Sequence, residues 1–178
     1  TPAHSRDNIA GMARRFVFDD DTFARIRDGD EHAFETLYRA SLDNLVAFAY
    51  SYTASYPASQ DIVADLFLHL WQSRTPVTSA HQLNAYLYTA VRNRSLNYLR
   101  RHGREVPVDV SDAEQAEAYV VPADVDQAID HEDRAESLRR LIESLPQGQR
   151  RILMLRWHSG LSADEIGHIL GASRNAVD

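Results

Sequence analysis

The sequence predicts an all-α protein in which two small helical domains are joined by a flexible acidic linker. Apolar residues recur three and four apart in several separate stretches, the spacing of one face of a helix,. No stretch alternates apolar and polar residues as a half-buried strand would,. Residues 105–146 carry a net charge of −9 and few large apolar side chains in their first half, which is typical of a solvated tether,.

The composition excludes several classes of protein. The 178 residues are 44% hydrophobic and 25% charged, which fits one or two globular domains,. There is no cysteine, so disulfides, thiolate metal sites and cysteine nucleophiles are excluded, and the eight histidines form no HExxH motif,. No apolar stretch approaches the roughly 20 residues that span a bilayer, and no signal-peptide pattern begins the chain. We therefore expect a cytoplasmic, non-enzymatic protein with no cofactor, no metal and no membrane insertion.

The first domain is predicted at residues 21–104, after an N-terminal extension at 1–20. Its first helix is Thr22–Asp28, with Phe23 and Ile26 three apart, and Gly29 ends it,. A second helix follows from Asp30 to about Ser55. Its apolar positions share helical spacing, and they are Phe34, Leu37, Tyr38, Leu45, Phe48, Ala49 and Tyr52,.

Two more helices complete this domain. Pro57 favours a helix start, and a broad apolar stripe extends from Ile62 to Trp71 before Thr75–Pro76 ends the helix,. A polar loop is predicted at Val77–Gln82, followed by a fourth helix at about Leu83–Arg101,.

After the linker at 105–127, helical periodicity returns in a second domain at residues 128–178. Pro146 breaks the first helix of this domain, and Gly160 ends the second,. Residues 161–177 then show a helix-turn-helix pattern, in which Ser162 and Glu165 form a capping box and Gly171 supplies the positive φ of the turn,. We expect Ser173 to cap a second helix, whose first side chains, Arg174 and Asn175, would point into a major groove. An ordinary helical hairpin is the alternative.

The net charge of −7 argues against a nucleic-acid partner, but its distribution reverses that inference,. Residues 84–104 contain five arginines and no acid, a net charge of +5, with tyrosines and asparagines between them. Such a helix neutralises phosphates and offers flat rings on which unpaired bases stack. The alternative is a solvated basic face with its tyrosines partly in the core.

Asp61 and Asp65 lie four residues apart, so they share a helix face beside the apolar stripe,. Paired carboxylates suit acid/base catalysis, but no nucleophile, metal-ligand cluster or phosphate loop accompanies them. A solvated face and a docking face for a basic protein partner remain open.

In order and spacing, these motifs resemble the extracytoplasmic-function group of bacterial sigma-70-type RNA polymerase sigma factors. The resemblance covers most of residues 22–178 and rests on segments in both domains. They are Ala33–Tyr38, Asp61–Trp71, Ala85–Asn93 with Leu99–Arg101, Leu145–Pro146, Gln149–Arg150, Leu153–Arg156, Gly160–Ser162 and Glu165–Ile166. Two positions depart from the family pattern: Ala64 stands where glutamine is usual, and Gly148 where glutamate is frequent.

The resemblance implies roles for the predicted helices. Docking on core RNA polymerase, on its beta and beta-prime subunits, is expected of Asp61, Asp65, Leu66, Leu70 and Trp71. Promoter −10 DNA, as duplex and melted single strand, is expected to contact Ser79, His81, Asn84, Tyr86, Tyr88, Arg92, Asn93, Arg100 and Arg101. Binding to the −35 element is expected of Ser173, Arg174 and Asn175. The acidic linker would occupy a basic channel built for RNA, and an anti-sigma factor is a further expected partner.

Both ends of the chain are unusual for this family. Asp178 falls about one and a half turns into the recognition helix, so we expect the native helix to continue. A natural end there would instead predict weak −35 reading and recruitment by another DNA-bound factor. Residues 1–11 match nothing in the family, and Met12 is a candidate start. Two rival functions remain at this point: a free-standing helix-turn-helix regulator, and a helical adaptor that uses the Asp61–Trp71 face.

Overall fold

The computed structural model describes residues 19–73, 77–103 and 144–171. These residues form six helices and no strand, so the all-α prediction is confirmed for them. In chain order the helices are α1 (Asp20–Arg27), α2 (Glu31–Thr53), α3 (Tyr56–Gln72), α4 (Ala80–Arg101), α5 (Gln147–His158) and α6 (Ala163–Leu170). The acidic linker at 105–127, the predicted helix before Pro146 and the helix end at Thr75–Pro76 lie outside the described residues.

Aspartate and serine caps fix where most of these helices begin. The side chains of Asp19, Asp30 and Ser79 accept a backbone N–H from the first turn of α1, α2 and α4, at 2.8, 3.0 and 3.2 Å. A cap of this kind satisfies a donor that the helix itself leaves unpaired. Because Ser79 caps α4, that helix begins at Ala80, and the prediction of a loop through Gln82 is wrong in its second half.

Helix α2 is the centre of the first domain and packs against α1, α3 and α4. Its inner face buries Leu37, Leu45 and Phe48 completely, because they follow the spacing of one helical face,. The apolar stripe of α3 faces the same core. Leu83, Leu87 and Val91 close the core from α4.

The second domain folds onto the first. Helices α5 and α6 pack together, with Leu155, Ile166 and Leu170 buried between them, and Gly160 takes a positive φ of 67° in the connection. Helix α5 also contacts α2, and α6 contacts α4. The buried side chains of both domains therefore form one continuous core.

Candidate functional site

Helix α3 presents an exposed face that combines acidic and large apolar side chains. Asp61 and Asp65 are exposed, which fits both a solvated face and a docking face. Leu68 and Trp71 are 55% and 43% exposed, which is unusual for residues of this size,. Sequence analysis missed Leu68, although its place outside the buried stripe was a usable signal.

Two residues predicted to bind polymerase lie instead in the protein's own core. Leu66 is fully buried and Leu70 is 7% exposed. Both belong to the inner stripe of α3, whose spacing places them against α2 and α4,. In this structure both side chains pack α3 against its neighbours, and the contact predicted for them stays a prediction.

A groove of about 520 Å³ lies between the exposed face of α3 and the first half of α2. Aromatic rings support it, with ring centres 4.9 Å apart for Phe34 and Trp71 and 4.9 Å apart for Tyr38 and Phe67. Edge-to-face and tilted contacts at this distance stabilise aromatic pairs. Its lining comprises Glu31, Phe34, Glu35, Tyr38, Ala64, Phe67, Leu68 and Trp71. We call this groove, with Asp61 and Asp65 beside it, the acidic docking face.

The residues of α4 that are predicted to contact −10 DNA lie on two different faces of the helix. Positions 81, 84, 88 and 92 share one face, since they are three, seven and eleven residues along the helix from the first. Positions 86, 93 and 100 share another, which is rotated by about 120° at 3.6 residues per turn. The first face points toward the core and the second domain, and the other is open to solvent.

The open face of α4 carries basic, amide and aromatic groups. Asn93, Arg100 and Arg101 are exposed, and Tyr86 is half-buried. The Nη1 atom of Arg100 donates a 2.8 Å hydrogen bond to Oδ1 of Asn97, which orients the guanidinium. We call Tyr86, Asn93, Asn97, Arg100 and Arg101 the open basic face.

Tyr88 does not offer its ring to a base in this fold. The side chain is 4% exposed and its ring meets Phe48 edge-to-face, with ring centres 5.3 Å apart. Burial raises the pKa of its hydroxyl, because the charged phenolate loses hydration,. The DNA contact predicted for Tyr88 stays a prediction, and it would require the core to open, since the ring packs inside it.

Three of the remaining residues predicted for −10 DNA donate hydrogen bonds to the second domain. His81 Nε2 donates to Glu165 Oε1 at 2.6 Å, and Arg92 Nη2 donates to the carbonyl of Leu170 at 3.3 Å. The Nδ2 atom of Asn84 donates to the carbonyl of Ser159. We call His81, Asn84 and Arg92 the covered face of α4, at whose start the His81 side chain is still 57% exposed. Ser79 precedes it and caps the helix.

The described part of the helix-turn-helix pattern has the predicted geometry. Ser162 Oγ accepts the N–H of Glu165 at 3.3 Å, and Glu165 Oε2 accepts the N–H of Ser162 at 2.9 Å, which completes a capping box,. Gly171 ends α6 with φ at 70°. Partial burial of Glu165 raises the pKa of its carboxyl, but hydrogen bonds from Ser162 and His81 outweigh that effect and leave the pKa lowered,. Ser173, Arg174 and Asn175 lie outside the described residues.

The part of the chain that the structure describes contains no cluster of three or more residues arranged to hold a metal. None of its helices is long and apolar enough to cross a membrane.

Two protein-family models match this chain, one in each domain. The model of sigma-70 region 2 matches residues 37–105, and the model of sigma-70 region 4 matches residues 135–178. The chain is 30% identical over 155 residues to the ECF RNA polymerase sigma-E factor of Escherichia coli K12, covering 82% of this chain and 79% of that one. The sigma-E factor of Salmonella typhi matches to the same extent.

The chain belongs to the sigma-70 family, in its extracytoplasmic-function (ECF) group. It is also 28% identical over 152 residues to a protein named as a probable RNA polymerase sigma factor, RfaY, of Xanthomonas campestris pv. campestris, of which it spans 38%. Sigma factors act in promoter recognition and transcription initiation, for which they bind core RNA polymerase and promoter DNA. Helices α2–α4 lie within or beside the region 2 match, and α5–α6 lie within the region 4 match.

Proposed function

We propose that this sigma factor docks on core RNA polymerase through the acidic docking face and holds the melted −10 strand on α4. The observation that carries the proposal is the separation of two chemically opposite surfaces. The docking face combines Glu31, Glu35, Asp61 and Asp65 with an apolar groove. Residues 84–104, by contrast, contain five arginines and no acid.

The docking face suits a protein partner with basic and apolar groups, as expected of the beta and beta-prime subunits. Acidic groups around an apolar centre speed encounter with a basic surface, while the apolar centre supplies most of the affinity. Trp71 and Leu68 are the candidates for that centre, because they are large, exposed and adjacent to the groove.

The open basic face suits a melted DNA strand. Arginines neutralise phosphates, and the ring of Tyr86 and the guanidinium planes accept stacked bases. Unstacking a base costs a few kcal/mol, and contacts of this kind offset that cost. Asn93 and Asn97 add amide donors and acceptors for base edges.

The remaining parts of the proposal follow from family membership. Ser173, Arg174 and Asn175 would read the −35 element, and the acidic linker would lie in a basic channel of the polymerase. An anti-sigma factor would control access to the chain, and the protein would act in the cytoplasm without catalysing a reaction itself.

The deciding experiment measures binding to core polymerase and initiation from a library of random-sequence templates. The variant Asp61→Arg with Trp71→Ala reverses one charge of the docking face and removes an apolar anchor. We expect it to lose at least about 30-fold in polymerase affinity, since a central tryptophan contributes about 2 kcal/mol or more. Asp43→Arg, an equal charge change at an exposed position of α2 outside the groove lining, is the matched control and should bind normally.

Equal polymerase binding by the docking variant and the control would overturn this assignment. If the unaltered chain bound duplex DNA specifically without polymerase, a free-standing regulator would be the better description.

A further inference from the structure

The C-terminal end of α4 carries two aromatic rings in a stack. The imidazole of His102 lies over the ring of Tyr98, with ring centres 4.1 Å apart and planes inclined by 32°. The Nδ1 atom of His102 also donates a 2.8 Å hydrogen bond to the carbonyl of Tyr98. Because a carbonyl oxygen only accepts, this bond places the hydrogen on Nδ1 and fixes the direction of the ring. Two independent contacts therefore hold the imidazole in one orientation.

The stack has one side against the protein and one side toward solvent. Tyr98 is partly buried and packs against the hydrophobic core. His102 is exposed, and Tyr98 covers only one side of its ring. A flat ring that is already held in place accepts a second ring on its outer side with little further loss of side-chain freedom. The outer side of His102 is thus a pre-organised stacking surface.

Two arginines flank this stack. Arg94 lies four residues before Tyr98 and Arg101 three residues after it, so both share a side of the helix with Tyr98. Among the described residues, neither guanidinium has a hydrogen-bond or ion-pair partner. Arg100, by contrast, donates to Asn97. Two guanidiniums beside the stack are therefore available to an anion.

A ring surface between two arginines fits a nucleotide. Bases stack on aromatic rings in a sequence-tolerant way, because every base has a π-face. Guanidinium groups pair with phosphate through parallel N–H donors. Residues 84–104 contain no acid, so the helix itself places no carboxylate beside a bound phosphate. A simple anion would use the arginines and leave the ring unused, whereas a nucleotide uses both.

The stack lies at the opposite end of α4 from Tyr86, the ring of the open basic face. The positions of Tyr86 and His102 are 16 residues apart, which is about 24 Å along a helix. At about 100° per residue, Arg101 lies about 60° from Tyr86 and about 100° from His102 around the helix, and so between them. A strand that leaves the open basic face over Arg101 therefore reaches the stack. Because the second contact is then intramolecular, it adds to the affinity of the first.

We propose that Arg94, Tyr98, Arg101 and His102 form a second stacking site on α4, which takes one unpaired nucleotide of the melted strand. The base lies on the outer side of His102, and the neighbouring phosphates pair with Arg94 and Arg101. These contacts go to the face of the base and to phosphate, so the site holds the strand without reading its sequence. The inference rests on the proposed function, in which α4 holds the melted strand. None of Arg94, Tyr98 and His102 is among the residues that the sequence predicted for DNA.

The affinity of a single strand for the complex of the full chain with core polymerase tests the site. The probe is a 12-nucleotide single strand from a template that initiates in the random-sequence library. His102→Ala should bind it about tenfold more weakly, because one base–aromatic stack is lost. His102→Phe keeps a ring and should stay within about threefold of the original chain. His102→Gln keeps a side-chain donor without a ring and should lose as much as alanine.

The matched control is His32→Ala, which removes an exposed histidine of α2 and should bind the strand as the original chain does. Far-ultraviolet circular dichroism checks that α4 persists in each variant. Placing 2-aminopurine at one position of the strand at a time locates the stacked base, since stacking quenches its fluorescence. One position should be dimmer with the original chain than with His102→Ala, and the other positions should match.

Arg94→Ala tests the phosphate contact separately. It should reduce the slope of log affinity against log salt by about 0.7, the value for one phosphate of a single strand. An unchanged slope would overturn the role of Arg94.

Three outcomes of the binding experiment are decisive. Equal affinity of His102→Ala and the original chain, or an equal loss with phenylalanine and with alanine, would overturn the inference and leave the proposed function standing. Displacement of the strand by an equal concentration of a deoxynucleoside monophosphate would indicate a site for free nucleotides and would also overturn it. If the original chain with core polymerase bound no single strand, the proposed function would fail instead.

Discussion

Arg92 of α4 donates a hydrogen bond to the carbonyl of Leu170, the last residue of α6, at 3.3 Å. This bond fixes the end of α6 on the first domain one residue before the backbone turns at Gly171. The turn uses φ of 70°, a left-handed conformation that residues with a Cβ adopt at a cost,.

Gly171→Ala should therefore lower the free energy of unfolding by about 1–2 kcal/mol. The cost is backbone strain and not a clash, since the added Cβ would make ordinary contact with Arg92 Nη2 at 3.7 Å. Gly171→Asn is the matched comparison, because asparagine tolerates the left-handed region better. In urea unfolding, the original chain with glycine should be the most stable, the asparagine variant next and the alanine variant the least stable. An alanine variant as stable as the original would contradict the strain argument.

The open basic face predicts a defined dependence on salt. Arg100 and Arg101 are both exposed at the end of α4, where they can neutralise two phosphates of a melted strand. Arg100→Ala with Arg101→Ala should reduce the slope of log affinity against log salt by about 1.4, at about 0.7 per phosphate on single strands. Fluorescence anisotropy of a single-stranded oligonucleotide, titrated with the polymerase-bound chain at several salt concentrations, measures this slope. Arg27→Ala, an exposed arginine of α1, should leave the slope unchanged.

The turn between α2 and α3 contains the one non-glycine residue with positive φ among the described residues. Ala54 has φ of 50° and caps α2 by donating its N–H to Tyr50. Ala54→Gly should raise the free energy of unfolding by about 0.5–1 kcal/mol, because relief of strain exceeds the added freedom of the unfolded chain. Ala40→Gly, at an exposed helical position of α2, should lower it by about 1 kcal/mol. If calorimetry showed that both variants change the free energy of unfolding in the same direction, this explanation would be refuted.

Buried serines offer a comparison between a satisfied and an unsatisfied hydroxyl. Ser95 Oγ is buried on α4 with no hydrogen-bond partner among the described residues, whereas Ser41 Oγ on α2 donates to the carbonyl of Leu37 at 2.7 Å. An unpaired buried hydroxyl is destabilising by about 1–3 kcal/mol. Ser95→Ala should therefore be more stable than Ser41→Ala by about 1 kcal/mol or more. Equal thermal stability of the two variants would indicate that Ser95 has a partner.

The helices and their caps could be predicted from local sequence, because each depends on residues within a few positions. The stripe Ile62–Trp71, the Asp30 start of α2, the Ser162–Glu165 capping box and the Gly171 turn are examples. The distinction between Leu66 and Leu68 was also available from the stripe. The resemblance to a binding helix predicted contacts for the buried Leu66 and Leu70 and left out the exposed Leu68.

The division of α4 between an open and a covered face could not be predicted in the same way. Arg92 and Arg100 have the same chemistry in the sequence, and only the packing of a helix that begins more than 60 residues after α4 separates them. Arg151 is a stronger case. A charged residue on a short helix is ordinarily exposed, and its burial depends on Tyr52 and Ser51 in the other domain. Long-range packing of this kind leaves no local signal.

The capping box at the start of α6 makes part of the stability dependent on pH. Partial burial raises the pKa of the Glu165 carboxyl, while hydrogen bonds from Ser162 and His81 lower it by more, so that the folded pKa lies below its ordinary value,. A carboxyl with a depressed folded pKa stabilises the protein fully above its unfolded pKa, about 4.3, and loses that contribution as the pH falls through the folded pKa. The variant Glu165→Gln tests this dependence, since it keeps a side chain that can reach back to Ser162 but removes the charge.

The difference in melting temperature between the original chain and Glu165→Gln should be largest above about pH 5 and should shrink toward pH 3. Asp43→Asn, which removes one exposed carboxylate elsewhere, controls for net charge. A difference that stayed constant from pH 7 to pH 3 would show that Glu165 is not held in its charged form by these contacts.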